Sequence, residues 1–237
     1  MTHHHLQGRS ACEVLWFRRR SFLGAAAAWS ALGGWSAAQA QQRGNVVELA
    51  GEALVNGAAL RPEGTIQTGD SVETGPGATL VFVIGSTSLL VRQNSRLKVE
   101  RGATLNAVSV LRLQAGGVAG VWGGRGAGRQ IVTPTLSAAI RGTGMYAEVL
   151  PGQELRSYFC NCHGTVDLAA GAERRQSRAE YHQSFWAEAQ PRGGRLLLPA
   201  QPINHTDEEI EQLAGLVGQR TAWQLSGRKG LRDGSGS

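Results

Sequence analysis

Lysine is almost absent from this chain: Lys98 and Lys229 are the only two in 237 residues. Cysteine (3), methionine (2) and tyrosine (3) are nearly as rare, and aromatic residues make up only 6%. Without lysine clusters the chain has no polybasic stripe of the kind that tracks a phosphate backbone. With three cysteines it cannot carry a dense disulfide framework. No run follows the Gly-x-Ser-x-Gly pattern of a hydrolase nucleophile. Nor does the stretch Gly123-Gly124-Arg125-Gly126-Ala127-Gly128 have the Gly-Lys-Ser/Thr ending of a phosphate loop, so it reads as a loop.

What is present is a hydrophobic fraction of 41%, enough for a packed core, in a length that suits one domain or two small ones. The formal charge of +6 and pI near 9.9 suggest an anionic partner at first sight. Residues 1–40, however, contain four arginines and a single acid, Glu13. Residues 41–237 then hold 20 basic and 17 acidic groups, a net +3 that is too dilute for a nucleic-acid binder.

Those first forty residues have the layout of an export signal. Arg18, Arg19 and Arg20 precede Ser21-Phe22-Leu23, an Ala- and Gly-rich apolar run follows, and Ala38-Gln39-Ala40 supplies a small-x-small cleavage site. The Arg19-Arg20-Ser21-Phe22-Leu23 run resembles the twin-arginine type of signal. Ser21–Ala40 is long enough to span a bilayer. Three glycines, three serines and Gln39 make it only modestly hydrophobic, which favours cleavage over anchoring. The expectation is a signal over 1–40, a periplasmic mature chain, and no transmembrane span after cleavage. Three histidines and Cys12 leave with that segment.

From Gln41 to about Pro199 the texture is β. Short β-prone runs alternate with Gly, Pro, Asn and Asp. Predicted strands include Asn45–Glu48, Ala53–Val55, Thr65–Thr68, Ser71–Thr74, Thr79–Ile84, Ser88–Val91 and Arg96–Glu100. Further ones are Ala107–Leu113, Gly117–Val121, Gln130–Thr133, Leu136–Ile140, Met145–Val149, Glu154–Cys160 and Gly164–Ala169. Asn56-Gly57 is a tight-turn signal. In Arg96–Glu100, Leu97 and Val99 alternate with charged residues, as in a half-exposed strand. After Pro202, Thr206-Asp207-Glu208-Glu209 precedes Ile210, Leu213, Leu216 and Val217. This spacing predicts a short amphipathic helix near Asp207–Val217 with Thr206 or His205 at its N-cap. The chain therefore divides into the signal (1–40), a β domain (41–200), a helical segment (201–225) and a tail (226–237) that reads as disordered.

Two stretches resemble a known family. The first has Gly64, then Thr68-Gly69-Asp70-Ser71-Val72-Glu73-Thr74-Gly75, and the turn Gly85-Ser86 after Phe82-Val83-Ile84. The second has Thr133-Pro134 followed by Ala138-Ala139-Ile140-Arg141-Gly142-Thr143. In this order they resemble the FecR domain, named for the regulator of iron-dicitrate transport, over about Gly44–Leu168. The resemblance implies an all-β, Gly-rich domain of β-sandwich or solenoid-like form, and a link to iron transport regulation. Ile84 stands where the family pattern has Asp before Gly-Ser. The family's transmembrane regulators also carry a cytoplasmic sigma-binding helical domain; only about seventeen unpatterned residues precede the signal here. The expected form is thus an exported, soluble one. Gly69-Asp70 and Gly75-Pro76-Gly77 are turn chemistry. Arg141 is expected to pin a turn through backbone carbonyls rather than contact a partner.

The remaining chemistry lies in one span. Every cysteine and histidine after residue 40 falls between 160 and 205: Cys160, Cys162, His163, His182 and His205. Cys160 and Cys162, two apart on a strand, share a face. The preferred metal set is Cys160, Cys162, His182 and His205; His163 is the weaker member, because strand alternation turns it from Cys162. Two thiolates and two imidazoles suit zinc, copper or iron. Disulfide chemistry and simple burial of small apolar thiols remain open. Cys160-Asn161-Cys162-His163 is one residue short of the Cys-x-x-Cys-His haem motif. Glu208, Glu209 and Glu211 read as a solvated helix face rather than an acid–base pair. Tyr181, Phe185, Trp186 and Trp223 read as packing against the helix.

These features predict a non-enzymatic, exported, periplasmic FecR-like binding or scaffold module. Its Cys/His cluster is a candidate metal site, and its partner is another envelope protein or a surface ligand rather than nucleic acid. A metal or redox sensor in transition-metal handling is the alternative, and a metalloenzyme the weakest one.

Overall fold

A computed structural model of the chain describes residues 44–124, 128–141, 144–150, 152 and 155–230. The signal over 1–40 and residues 231–237 of the tail lie outside them, as do Gly142 and Thr143. Among the described residues, fifteen strands and two short helices make up the fold, which is all-β. The strands are β1 (Val46–Ala50), β2 (Ala53–Val55), β3 (Ala58–Ala59), β4 (Ser71–Thr74), β5 (Thr79–Ile84), β6 (Thr87–Val91), β7 (Arg96–Arg101) and β8 (Val108–Trp122). They continue as β9 (Gln130–Val132), β10 (Ser137–Ile140), β11 (Gly144–Leu150), β12 (Arg156–Ala170), β13 (Glu173–Ala179), β14 (Gln183–Arg192) and β15 (Arg195–Ala200). Helices α1 (Asp207–Leu216) and α2 (Ala222–Ser226) close the chain. Among the described residues no helix is long and apolar enough to cross a membrane.

The strands form two layers that share the 15-residue strands β8 and β12. In the first layer the order is β1-β5-β6-β8-β11-β12-β14-β15. In the second it is β3-β2-β4-β7-β8-β9-β10-β12-β13. All pairs are antiparallel except β8 with β9. One core, drawing Leu80, Phe82 and Phe159 from the first layer and Leu97, Leu111 and Val166 from the second, lies between them.

Side-chain patterning explains this division. The second layer is buried on one face, and its strands alternate: in β7, Leu97 and Val99 point inward while Arg96 is exposed. The first layer is covered on both faces, so Thr79–Ile84 is apolar almost throughout. Leu80, Phe82 and Ile84 enter the inter-layer core, while Val81 joins a second cluster beneath the helices. Strands β8 and β12 switch pattern midway, in opposite senses. The first half of β8 alternates and its second half is buried throughout; β12 does the reverse.

Several expectations need correction here. The sequence predicts each long strand as two, separated by Gln114–Gly116 and by Asn161–His163. Instead both strands run unbroken through these residues, where they pass between the layers. Thr65–Thr68 forms no strand; instead the Ile66 N–H bonds to the Asn45 side chain at 2.8 Å. Phe185 packs in the inter-layer core, whereas Tyr181 and Trp223, the latter from α2 itself, join the cluster between helices and sheet, and Trp186 packs against that cluster. The helix begins at Asp207, with Thr206 rather than His205 as N-cap and Glu209 completing a capping box. Glu209 is not solvated. Its carboxylate meets Arg92 at 2.7 Å, and both side chains are buried.

Candidate metal centre

The segment after β15 crosses the outer face of the first layer, where α1 lies against β6, β8 and β11. Beneath it, β12 presents Tyr158, Cys160 and Cys162. The turn between β13 and β14 brings in His182, whose N–H bonds to the Cys162 carbonyl at 3.0 Å. His205 arrives from the loop before α1. The backbone is left-handed at His182 (φ 25°) and at Asn204 (φ 57°), next to His205. Such conformations cost energy in non-glycine residues and tend to collect at functional sites.

One potential ligand atom from each of Cys160, Cys162, His182 and His205 lies within 4.8 Å of all the others, and all four residues are buried. The two sulfurs are 3.9 Å apart. Cys160 Sγ is 3.4 Å from His182 Nδ1, and His205 Nε2 is 3.1 Å from that same nitrogen. A tetrahedral ion with ordinary zinc bond lengths requires about 3.8 Å between sulfurs, about 3.5 Å from sulfur to nitrogen and about 3.3 Å between nitrogens. The observed spacings match each of these.

The outward nitrogens of both rings are fixed. His182 Nε2–H donates to Asp207 Oδ1 at 2.9 Å, and Asp207 also accepts from the Tyr181 hydroxyl at 3.1 Å. His205 Nδ1–H donates to the Ile203 carbonyl at 2.6 Å. Neutral rings held this way turn their lone pairs, at His182 Nδ1 and His205 Nε2, toward each other and the sulfurs. Two facing lone pairs call for positive charge between them, either a proton on His182 or a metal ion. Carboxylate and carbonyl partners of this kind orient histidines that ligate metals. Aromatic rings pack the site: His205 stacks on Tyr146 at 4.8 Å, and His182 on Trp223 at 5.1 Å.

Charge coupling within the group is strong. Burial alone would raise the Cys160 thiol, but the hydrogen bond with the Cys162 thiol and the neighbouring imidazoles hold it well below the ordinary thiol range. Burial, then the hydrogen bond and charge of Cys160, push Cys162 well above that range. Burial opposes a charge on His182, yet the Cys160 charge and the bond to Asp207 raise it to about 9. Both shifts run in the direction that favours a Cys160 thiolate beside a His182 imidazolium.

His163 is outside this group, but not by simple alternation. Gly144 pairs with His163 and Met145 with Asn161, which makes Cys162 the extra residue of a β-bulge. The bulge turns His163 toward the same side as Cys162, where it meets Trp223 edge-on at 5.4 Å. Gly144 leaves room for the ring: a Cβ there would lie 2.8 Å from its Nε2.

The family-motif residues hold turns. Thr68 donates its hydroxyl to the Leu105 carbonyl at 2.7 Å. Gly69 has φ 105° and Gly85 has φ 56°. Asp70 accepts from the Gln67 N–H and the Asn56 amide, both at 2.7 Å. The Thr74 hydroxyl donates to the Arg92 carbonyl, and the Gly75 N–H to the Glu52 carbonyl. The Ser86 carbonyl accepts from Gly123 at 2.6 Å. Thr133 accepts from the Leu136 N–H at 3.0 Å, ahead of exposed Pro134. The Arg141 guanidinium meets the Asp167 carboxylate at 2.9 Å, across to β12. Two surface grooves contain motif residues, Pro134 in one and Gly85 in the other; neither is lined by a member of the Cys/His group.

No protein-family model matches the chain, and no curated protein matches it. Among solved structures, two crystal structures described as candidate anti-sigma factors from Parabacteroides distasonis ATCC 8503 are similar. The first superposes with a TM-score of 0.45 and 9% identity over 63% of this chain and 66% of that one. The second gives 0.44 and 8% over 61% and 65%.

Proposed function

We propose that the protein is an exported, non-catalytic β module that holds one zinc ion between Cys160, Cys162, His182 and His205. The observation that carries this reading is the agreement of the sulfur–sulfur, sulfur–nitrogen and nitrogen–nitrogen distances given above with those of a tetrahedral S2N2 site. Zinc is favoured because two thiolates balance its charge and tetrahedral sulfur–nitrogen sites suit it. Four protein ligands make a closed site, the form structural zinc takes.

A nucleophilic cysteine is the competing use of the same atoms, since Cys160, His182 and Asp207 line up in sequence. Burial argues against it: Cys160 has 0% exposure, whereas reactive cysteines are partly exposed. Export to the periplasm is supported by the arginine, apolar and small-residue layout of 1–40. A FecR-like binding or scaffold role, toward an envelope protein or surface ligand, is supported by the two sequence motifs and their place at turns.

Cobalt substitution tests the metal reading. Chain loaded with Co2+ should show thiolate-to-cobalt charge transfer and strong visible bands of a tetrahedral ion. Weak octahedral bands without charge transfer would contradict it.

A further inference from the structure

The Cys/His group draws its members from both sides of a contact. Cys160 and Cys162 belong to the sheet, while His205 belongs to the covering segment. His182 sits in a turn of the sheet, yet its outward nitrogen is bound to Asp207, the first residue of α1. The covering segment also packs Ile203, Ile210, Leu213 and Trp223 on Val81, Leu90, Val121 and Tyr158. Resting on the metal reading, we propose that the ion is a clasp fastening segment 201–230 to the first layer. Asp207 is the positioning residue that links α1 to the ion through His182.

Helix capping does not explain the burial of Asp207. The N-cap and its partner are Thr206 and Glu209, which complete the capping box by themselves. The Asp207 carboxylate faces His182 and Tyr181 instead, with no solvent exposure. Undocking of the segment would remove both His205 and Asp207, leaving an ion only three ligands and an unsupported His182. The ion must then bind the docked form more tightly. By reciprocity, the factor by which docking raises affinity equals the factor by which the ion raises the docking constant. Loss of an outer-shell partner alone typically weakens metal binding by about 10–100-fold.

The experiment uses the full chain, loaded with Zn2+ and then stripped by a chelator, and follows amide hydrogen exchange. Stripping should speed exchange across 203–226 while leaving β5 and β6 protected, and Zn2+ should restore protection. Asp207→Asn should weaken Zn2+ affinity by about 10–100-fold in competition with a chromophoric chelator. It should also shift the visible bands at saturating Co2+, because His182 becomes a weaker donor. Leu213→Ala, which loosens only apolar packing, should keep the wild-type bands at saturation. Zinc bound at one per chain with unchanged exchange on stripping overturns the clasp and leaves the metal reading standing. Equal Zn2+ affinity in wild type and Asp207→Asn overturns the role of Asp207. A wild-type chain that binds no Zn2+ removes the metal reading, and the clasp with it.

Discussion

Arg92, directly after β6, and Glu209, in the first turn of α1, form an ion pair of 2.7 Å that is sealed from solvent. Arg92 also donates to the Asn204 carbonyl at 3.0 Å, so one guanidinium holds both the helix and the loop that precedes it. Glu209 meanwhile closes the capping box by accepting from the Thr206 N–H at 3.0 Å. The covering segment is thus anchored to the sheet at a point separate from the Cys/His group.

Removing one partner of such a pair strands the other charge in a dry site. Glu209→Ala should cost about 3–5 kcal/mol of unfolding free energy in a denaturant titration. Lys229→Ala, which loses half-exposed pairs to Glu208 and Glu211, should cost no more than about 1 kcal/mol. Equal costs would place Glu209 in solvent.

The helix start offers a second test. Thr206→Ala removes the side chain that accepts from the Glu209 N–H. A loss of about 1 kcal/mol is expected, read as a drop in the denaturation midpoint with unchanged slope.

Gly144 marks a close approach. A Cβ there would come within 2.8 Å of the His163 ring and 3.2 Å of Ile210. Gly144→Ala should therefore destabilise the fold by about 1–3 kcal/mol through overpacking. Combining it with His163→Ala should recover part of that loss, because the ring is the obstacle. No recovery would mean the strain lies elsewhere.

Arg141 gives a contrasting prediction. Its ion pair with Asp167 is largely exposed, so Arg141→Ala should change stability by less than about 1 kcal/mol. A larger effect in thermal unfolding would assign it the turn-pinning role expected from the motif.

Much of the fold was legible because burial imposes its period on sequence. Arg96–Glu100 alternates since one face meets the core, and Thr79–Ile84 does not because both faces are covered. The centres of β8 and β12 were not legible. There the strand leaves one layer for the other, and no single period spans the change. The four candidate ligands could be found because cysteine and histidine are so few after residue 40. Their supports could not: an acid in the first turn of a helix, such as Asp207 or Glu209, looks the same whether it complements the helix dipole in water or binds a buried group. His163 was set aside by strict alternation, which the bulge at Cys162 breaks.

Metal content of the purified full chain, determined by elemental analysis beside its Cys160→Ser/Cys162→Ser variant, tests the central claim most directly. The account predicts about one zinc per wild-type chain and none in the variant, while His163→Gln keeps the wild-type ratio. Wild-type protein without metal after growth and purification in zinc, or variant protein with undiminished zinc, would contradict it.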